Sequence, residues 1–513
     1  MRLSIKKLLV AVAACSMVLP LVACGQSGDS GAKDANGKPI VKIAVSKHSL
    51  TKKMSEMKWP KELEAACDCT IEWQEVSSDW DQKKQAMFTA GEIPDMILKG
   101  VYLNDMATYG SLFEDLTDDI GKIQVLPSDK KGYWPKTVAR RYINKQWLDK
   151  LGLKAPTTWD ELTNVLEAFK TQDPNGNGKA DEIPMNVRAL GTDALGGWWN
   201  MFLLINGTGV VTQFNAGPSA NGIAVKDGKV YNWATSDQFK EVVKYYNELF
   251  GKGLIPKDAL TKDFSKYQAE LQSDGETALT GVIFGWDGTA FGALDSKLYK
   301  EYEAIPVPAA PGVSQDETVW DGSGDYNEYE DYHMSMKKDL PEATKTAALK
   351  IINTLYSQDY AIQQMYGSIP DYVTKDDDKT YTVSDKYYTE TNNGKSPAIN
   401  DRLAGWVPND VTIKNAQDSD SVQLVDKVYA EQYSHYDQTK DMMPVYVRLN
   451  TEDSNTFSNN NAQIWNYAIP IISKWLLNGG IDEQWDNYVK TIDDYGMKQN
   501  VEMWQKAYDK AVK

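Results

Sequence analysis

Cysteine and histidine are scarce: four and three in 513 residues. Cys15 and Cys24 lie within and at the end of an apolar leader, so only Cys67 and Cys69 belong to the folded body. That count disfavours a Cys/His zinc site. It also disfavours a His-based nucleophilic triad, and no Gly-x-Ser-x-Gly elbow is present. Cys67 and Cys69 either close a very small disulfide or remain two buried thiols. Phenylalanine is also sparse, with 11 Phe against 16 Trp and 28 Tyr. Trp and Tyr join a flat apolar face to a polar edge, a character that sugar rings match, although most of these aromatics belong in a core. Basic residues are outnumbered, 55 against 72 acidic, for a net charge of −17. This disfavours nucleic acid, which demands a basic stripe, and any strongly anionic polymer unless a local basic pocket overrides the balance. Long apolar runs are missing after the leader. Ala468–Leu477 is interrupted by Pro470, Ser473 and Lys474, so a second membrane span is excluded.

The leader itself is informative. Arg2, Lys6 and Lys7 precede an apolar run from Leu8 to Val22, which ends in Leu21-Val22-Ala23-Cys24. A basic start, an apolar middle and small residues at the end make a secretory signal. The Cys at the cut resembles the bacterial lipobox, where that residue takes a diacylglycerol thioether. Two or more acyl chains give stable anchoring. Residues 1–23 are therefore read as a signal peptide, and 24–38 as a lipid-anchored flexible linker of Gly, Ser, Asp and Lys. The mature chain, freed of three positive residues, has 52 basic against 72 acidic residues. The expected location is the extracellular face of the cytoplasmic membrane, with the membrane touched through the anchor only.

Alternation predicts strands at 40–45, 70–76 and 96–98, with helices ending near Ala66 and spanning Trp80–Ala90. That β-α-β-α-β order argues for an α/β lobe. Further on, Trp147–Leu151 reads as a helix stopped by Gly152. The next opens at Thr158, with Glu161 completing a capping box. Helices follow at 237–250 and 263–273, a strand at 278–284, and a helix opened by Pro341. The last third is mainly helical.

One loop carries metal-like spacing: Asp173-Pro-Asn175-Gly-Asn177-Gly178-Lys179-Ala-Asp181-Glu182. Oxygen side chains fall at alternate positions, Gly178 stands where such loops turn sharply, and Lys179 offers its carbonyl. Calcium takes six to eight oxygens in this pattern. Pro184 stands where an EF-hand has its bidentate Glu, so Glu182 would supply that carboxylate, and no helix leaves the loop. The reading is a structural Ca2+ site, against the plain alternative of a solvated Asx/Gly turn.

The lipobox, Gly91-Glu-Ile-Pro-Asp95, Tyr142–Leu153, Pro156–Leu162, the 173–182 loop, Gly479–Asp486 and Gln505–Tyr508 occur in one order. Together they resemble the extracellular solute-binding proteins of ATP-binding-cassette importers, in particular the large carbohydrate-binding group that includes alginate-oligosaccharide-binding proteins. The resemblance implies a periplasmic-binding-protein-like α/β fold of two lobes joined by hinge strands, closing on a ligand in the cleft. It implies lobe 1 at 39–143, lobe 2 at 144–328, a return to lobe 1 and hinge at 329–370, and a mainly helical 371–513 completing lobe 2 and part of the cleft. It further implies a non-enzymatic monomer that captures an oligosaccharide and passes it to importer transmembrane subunits. The alternatives are a lipid-anchored glycoside hydrolase or lyase with a structural calcium, and a peptide-binding receptor on the same fold.

Cleft loops follow strand ends in open α/β sheets. The expected ligand contacts are thus His48, Asp79, Trp80 and Lys99 on one side. Trp199, Asn200, Trp286, Asp287, Asp325 and Trp406 are expected around the rest. Trp286 leads them, because Gly285 and Gly288 leave the indole exposed and Asp287 can accept sugar hydroxyls.

Overall fold

The computed structural model describes residues 31–116, 124–129, 137, 139–191, 194–197, 199–214, 217–286, 288–292, 296–324, 329–392, 394–399, 405–408, 410–415 and 427–512. The leader with Cys24, and Asp287, Asp325 and Tyr326, lie outside them.

The alternating segments form strands as their period dictates. β1 (Ile40–Ser46) pairs in parallel with β2 (Thr70–Val76) and β3 (Met96–Leu98), across helices Lys58–Cys67 and Trp80–Ala90. β4 (Leu126–Asp129), β11 (Tyr329–Met336) and β14 (Gly405–Trp406) complete a six-stranded sheet of order β14-β4-β11-β3-β1-β2. β11 runs antiparallel to both neighbours, and β14 runs parallel to β4. The C-terminal ends of β1, β2, β3, β4 and β14 therefore share one edge.

A second sheet has the order β10-β5-β9-β6, from β5 (Arg140–Asn144), β6 (Ile183–Met185), β9 (Thr280–Gly285) and β10 (Tyr302–Ile305). β5 is antiparallel to β9, with Arg140 opposite Gly285, and β6 is parallel to β9. The start of β5 and the ends of β6 and β9 thus share an edge. β7 (Ile223–Lys226) and β8 (Lys229–Asn232) form a hairpin beside this sheet.

Each sheet has its own core, and so the molecule has two lobes. Val41, Trp59, Met96, Met334, Ile351 and Tyr381 pack in the first. Trp159, Trp233, Tyr246, Ile283, Trp465 and Trp475 pack in the second. The long helix Thr451–Asn478 and helices Ile481–Asp494 and Met497–Val512 close the second core. The chain passes between lobes three times: after β4, before β11, and between Asn415 and Lys427. The first passage leaves from the shared edge of sheet one and enters at the start of β5, and the second returns to that same edge at the start of β11. The two edges therefore face one another across the cleft.

The structure corrects four expectations. The boundary expected at 143/144 falls before Arg140, because β5 hydrogen-bonds only to second-lobe strands. The described residues among 371–415, expected with the second lobe, belong to the first. Val373, Tyr381, Val383, Ile399 and Val407 are in its core, and β12 (Val373–Lys375), β13 (Thr380–Val383) and β15 (Thr412–Lys414) form a small sheet there. The described end of the linker is a turn rather than a free tether. Asp34 accepts from the Asn36 and Lys38 amides at 2.8 and 2.9 Å, and Ile40 N–H donates to the Ala32 carbonyl. Finally, Thr158 caps its helix through the Glu161 amide as expected, but Glu161 reaches back to the Thr157 amide at 2.8 Å rather than to Thr158.

Cys67 and Cys69 are joined as a disulfide in the first core. Gly152 ends its helix at φ 66°, the left-handed conformation a Cβ disfavours. No helix among the described residues is long and apolar enough to cross a membrane.

Candidate functional site

On the first lobe, the edge formed by the ends of β1, β2 and β3 carries the residues expected there. His48 is exposed, and its Nδ1 accepts from the Leu50 amide at 3.2 Å, so one ring nitrogen is occupied in a turn. Asp79 is exposed at φ 55° before helix Trp80–Ala90 and makes no side-chain cap. Trp80 is half-buried and donates its indole N–H to the Gly100 carbonyl at 2.9 Å. Gly100 sits at φ 98°, and a Cβ there would stand 2.2 Å from the indole nitrogen. The close approach of ring and backbone thus requires glycine. Lys99, at φ 66°, ties its amide to the His333 carbonyl of β11. Beneath them Lys84, 2 % exposed, pairs with Asp105 at 2.8 Å and lies 4.1 Å from the Tyr102 ring centre. Trp406 ends β14 on this same edge and is half exposed. It faces the cleft from the first lobe, not from the second as its sequence position suggested.

On the second lobe, a pocket of about 230 Å³ opens at the ends of β6 and β9. Trp199, Phe264 and Trp286 wall it, with Tyr267, Gln268, Leu271, Ile283 and Ala290 below. Trp286 follows β9 directly. Trp199 is held at φ 59°. Phe264 opens helix Phe264–Gln272, which Asp263 caps through the Lys266 amide at 2.7 Å. The Arg188 guanidinium lies 5.2 Å from the Trp199 ring centre and 4.8 Å from that of Phe264. Burial holds its pKa below the usual range. Stacked guanidinium and indole faces are mutually attractive and fix one another. Behind the wall, Lys262 donates to Asn186 Oδ1 at 2.5 Å and to Glu270 Oε2 at 2.6 Å, which anchors helix Phe264–Gln272 to the end of β6. Chemically, the pocket offers flat π faces and few fixed charges. Such a surface suits the C–H face of a ring whose rim is hydrated or hydrogen-bonded from the opposite lobe.

Asn200 is buried and engaged locally. Its Oδ1 accepts from the Phe202 amide at 2.8 Å and its Nδ2 donates to the Gly196 carbonyl, so it caps the turn Met201–Thr208. Phe264, Arg188 and Tyr267 were not anticipated from the sequence. One signal was available. The chain holds six arginines, and Arg140, Arg141 and Arg188 all stand at the second sheet's cleft-facing edge.

The 173–182 loop lies beyond helix Trp159–Thr171, with Asp173 at φ 45° and Gly176 and Gly178 also left-handed. Asp173 accepts from the Gly176 and Gly178 amides at 3.0 and 3.2 Å. The side-chain amides of Asn175 and Asn177 donate to Asp181 at 3.1 Å. Lys150 Nζ binds the Asp173 and Pro174 carbonyls from outside. Glu182 Oε1 is buried without a partner. Burial first, then Asp173 and Asp181, raise the Glu182 pKa. Among the described residues no group of three or more His, Cys, Asp or Glu side chains is gathered as a metal centre. The loop's other oxygens are amide and main-chain ones, including Lys179. An orphaned buried carboxylate oxygen among like charges fits a cation, and an amide flip at each Asn would exchange donors for acceptors.

Comparison with known proteins places this architecture. The model of the family described as "Bacterial extracellular solute-binding protein" matches residues 49–362. A fructooligosaccharide ABC transporter substrate-binding protein, FusA of Streptococcus pneumoniae serotype 4, is 27% identical over 504 residues, covering 87% of this chain and 86% of that one. An HMO-binding ABC-transporter-associated solute-binding protein from Bifidobacterium longum infantis superposes with a TM-score of 0.87 at 46% identity, covering 93% of this chain and all of that one. An extracellular solute-binding protein from Bifidobacterium longum subsp. infantis gives 0.88 at 43% identity, over 94% of this chain and all of that one. With two sheets facing across a cleft, three passages between them and this match over most of the chain, the protein belongs to the bacterial extracellular solute-binding protein family.

Proposed function

We propose that this protein captures an oligosaccharide between its lobes and delivers it to an ABC importer, tethered outside the cytoplasmic membrane by a lipid on Cys24. The observation that carries this reading is the pocket walled by Trp199, Phe264 and Trp286 at the end of β9. A sugar ring stacks on Trp286 and Trp199. Trp406 covers it from the other lobe, where His48, Asp79 and Lys99 supply polar groups for hydroxyls. The names of FusA and of the Bifidobacterium protein support this ligand class. The 173–182 loop holds a structural Ca2+ through Asp173, Asn175, Asn177, the Lys179 carbonyl, Asp181 and Glu182. No chemical step is assigned to any residue: the protein binds and releases, and acts as a monomer.

Calorimetric titration with a panel of neutral oligosaccharides tests the reading. Trp286→Ala should weaken the best ligand by roughly 1–3 kcal/mol, the range for flat rings stacked on aromatics, with little change in melting temperature. Undiminished affinity in that variant refutes the site. Binding of peptides and of no sugar refutes the ligand class.

A further inference from the structure

Arg140 and Arg141 begin β5, immediately after the chain enters the second lobe, and expose 1 % and 0 % of their surface. Neither has a carboxylate in the described ion pairs. Arg141 Nη1 donates to the Pro306 carbonyl at 3.2 Å among Tyr245, Tyr246 and Tyr429, and burial lowers its pKa to about 10. Its neighbour points to the opposite face of the strand. Arg140 Nη1 donates to the main-chain carbonyl of Trp286, and its guanidinium carbon lies 5.7 Å from the centre of the Trp286 ring. Arg140 Nε and Nη2 are buried with no hydrogen-bond partner. Burying an uncompensated charge is unfavourable by several kcal/mol, and a broken packing rule beside a binding surface marks a functional constraint. The register explains the reach. Arg140 stands opposite Gly285, one residue before the indole. The segment around Trp286 has glycine on both sides, at 285 and 288, and so little intrinsic order of its own.

We propose that Arg140 is a positioning residue for the cleft. It grips Trp286 by both carbonyl and ring, and so presets the stacking indole from the strand that enters at the hinge. This rests on the reading of Trp286 as the sugar platform. Holding the ring in place before ligand arrives removes an ordering penalty from binding. It also links the interlobe passage to the pocket wall through one side chain. Lysine is no substitute, since a point charge cannot engage a carbonyl and a ring face together as a planar fork does.

The test uses Arg140→Met, which keeps the length of the side chain and removes both grips. Oligosaccharide affinity should fall at least fivefold while the melting temperature holds or rises, because an uncompensated buried charge has gone. A merely structural arginine would move the two together. In a Trp286→Ala background Arg140→Met should have no further effect on affinity, since the arginine acts through the ring. In protein labelled with 5-fluorotryptophan, the Trp286 resonance, identified by its loss in Trp286→Phe, should shift or broaden in Arg140→Met without any ligand. Wild-type affinity in Arg140→Met, or an equal loss in both backgrounds, overturns the proposal. If the wild-type protein binds no oligosaccharide, the ligand reading fails separately. The fluorine resonance then decides the Arg140–Trp286 coupling alone, an unchanged resonance overturning it. Should Arg140→Met not fold, Arg140→Lys takes its place; it keeps the buried charge, so affinity and the fluorine resonance decide, with the same outcomes for those two, and the melting temperature does not enter.

Discussion

Lys262→Met should be among the more destabilising single changes in the second lobe, and its size follows from the contacts. The ammonium is buried, with its side chain 1 % exposed, and lies 2.6 Å from Glu270 and 2.5 Å from Asn186. Removing one partner of a buried pair costs about 3–5 kcal/mol, mostly because the other charge is left alone. Glu270 keeps 18 % of its side chain exposed and retains the Asn186 amide at 2.9 Å, which argues for the lower end, about 3 kcal/mol. For a lobe somewhat above 250 residues, at roughly 2–4 °C per kcal/mol, the melting temperature should fall by about 6–12 °C. Scanning calorimetry resolves that easily, provided the two lobes' transitions are fitted separately. Adding Glu270→Gln, which neutralises the stranded carboxylate, should recover at least half the loss. The reasoning is refuted if Lys262→Met melts within 1 °C of wild type, or if the double variant is less stable than the single one.

A chelator should lower the melting temperature of the second lobe, and excess calcium should restore it. At a hundred times the dissociation constant, native-state binding is worth about 2.7 kcal/mol. Asp173→Ala should abolish the response, and a melting curve indifferent to chelator leaves only the Asx/Gly turn. Gly100→Ala should be destabilising by about 1–3 kcal/mol, from left-handed backbone strain and collision with the Trp80 indole. Trp80→Ala in the same chain should relieve the collision but not the strain, which denaturant titration of single and double variants will separate.

The first lobe's strands and helices were legible because their signals are local. Ile40–Ser46 and Thr70–Val76 alternate, and Trp80–Ala90 is bounded by a turn and Gly91. The lobe to which 371–415 belongs was not legible. Val373 and Tyr381 are ordinary apolar residues whose companions in the core, such as Val45 and Trp59, lie far away in sequence. Nothing along the chain marks the third passage between lobes. In the site, Trp286 was legible through its flanking glycines. Asn200 reads ambiguously because the groups that would hold a sugar hydroxyl also cap a helical turn. Phe264 was hidden because it reads as the routine first residue of a capped helix, and Arg140 because a charged residue beginning a strand normally points to water. The structure instead turns it against an indole.

Three passages between lobes mean that neither lobe is a continuous piece of chain. When the chain emerges N-terminus first, β1, β2 and β3 wait for β11 and then for Tyr381 and Val407 before their core can close. The second core waits longer still, for Trp465, Trp475, Trp504 and Tyr508 near the C-terminus. The first core therefore stays open until Val407 has been made and the second until almost the whole polymer is present, and contacts of such long separation form slowly. Only the small cluster of Ala44, Phe88, Ile97 and Phe113 draws on early residues alone. A truncation anywhere in the final helices should thus leave unfinished the very lobe that carries the aromatic pocket, even though the cut lies two hundred residues or so away in sequence from Trp286.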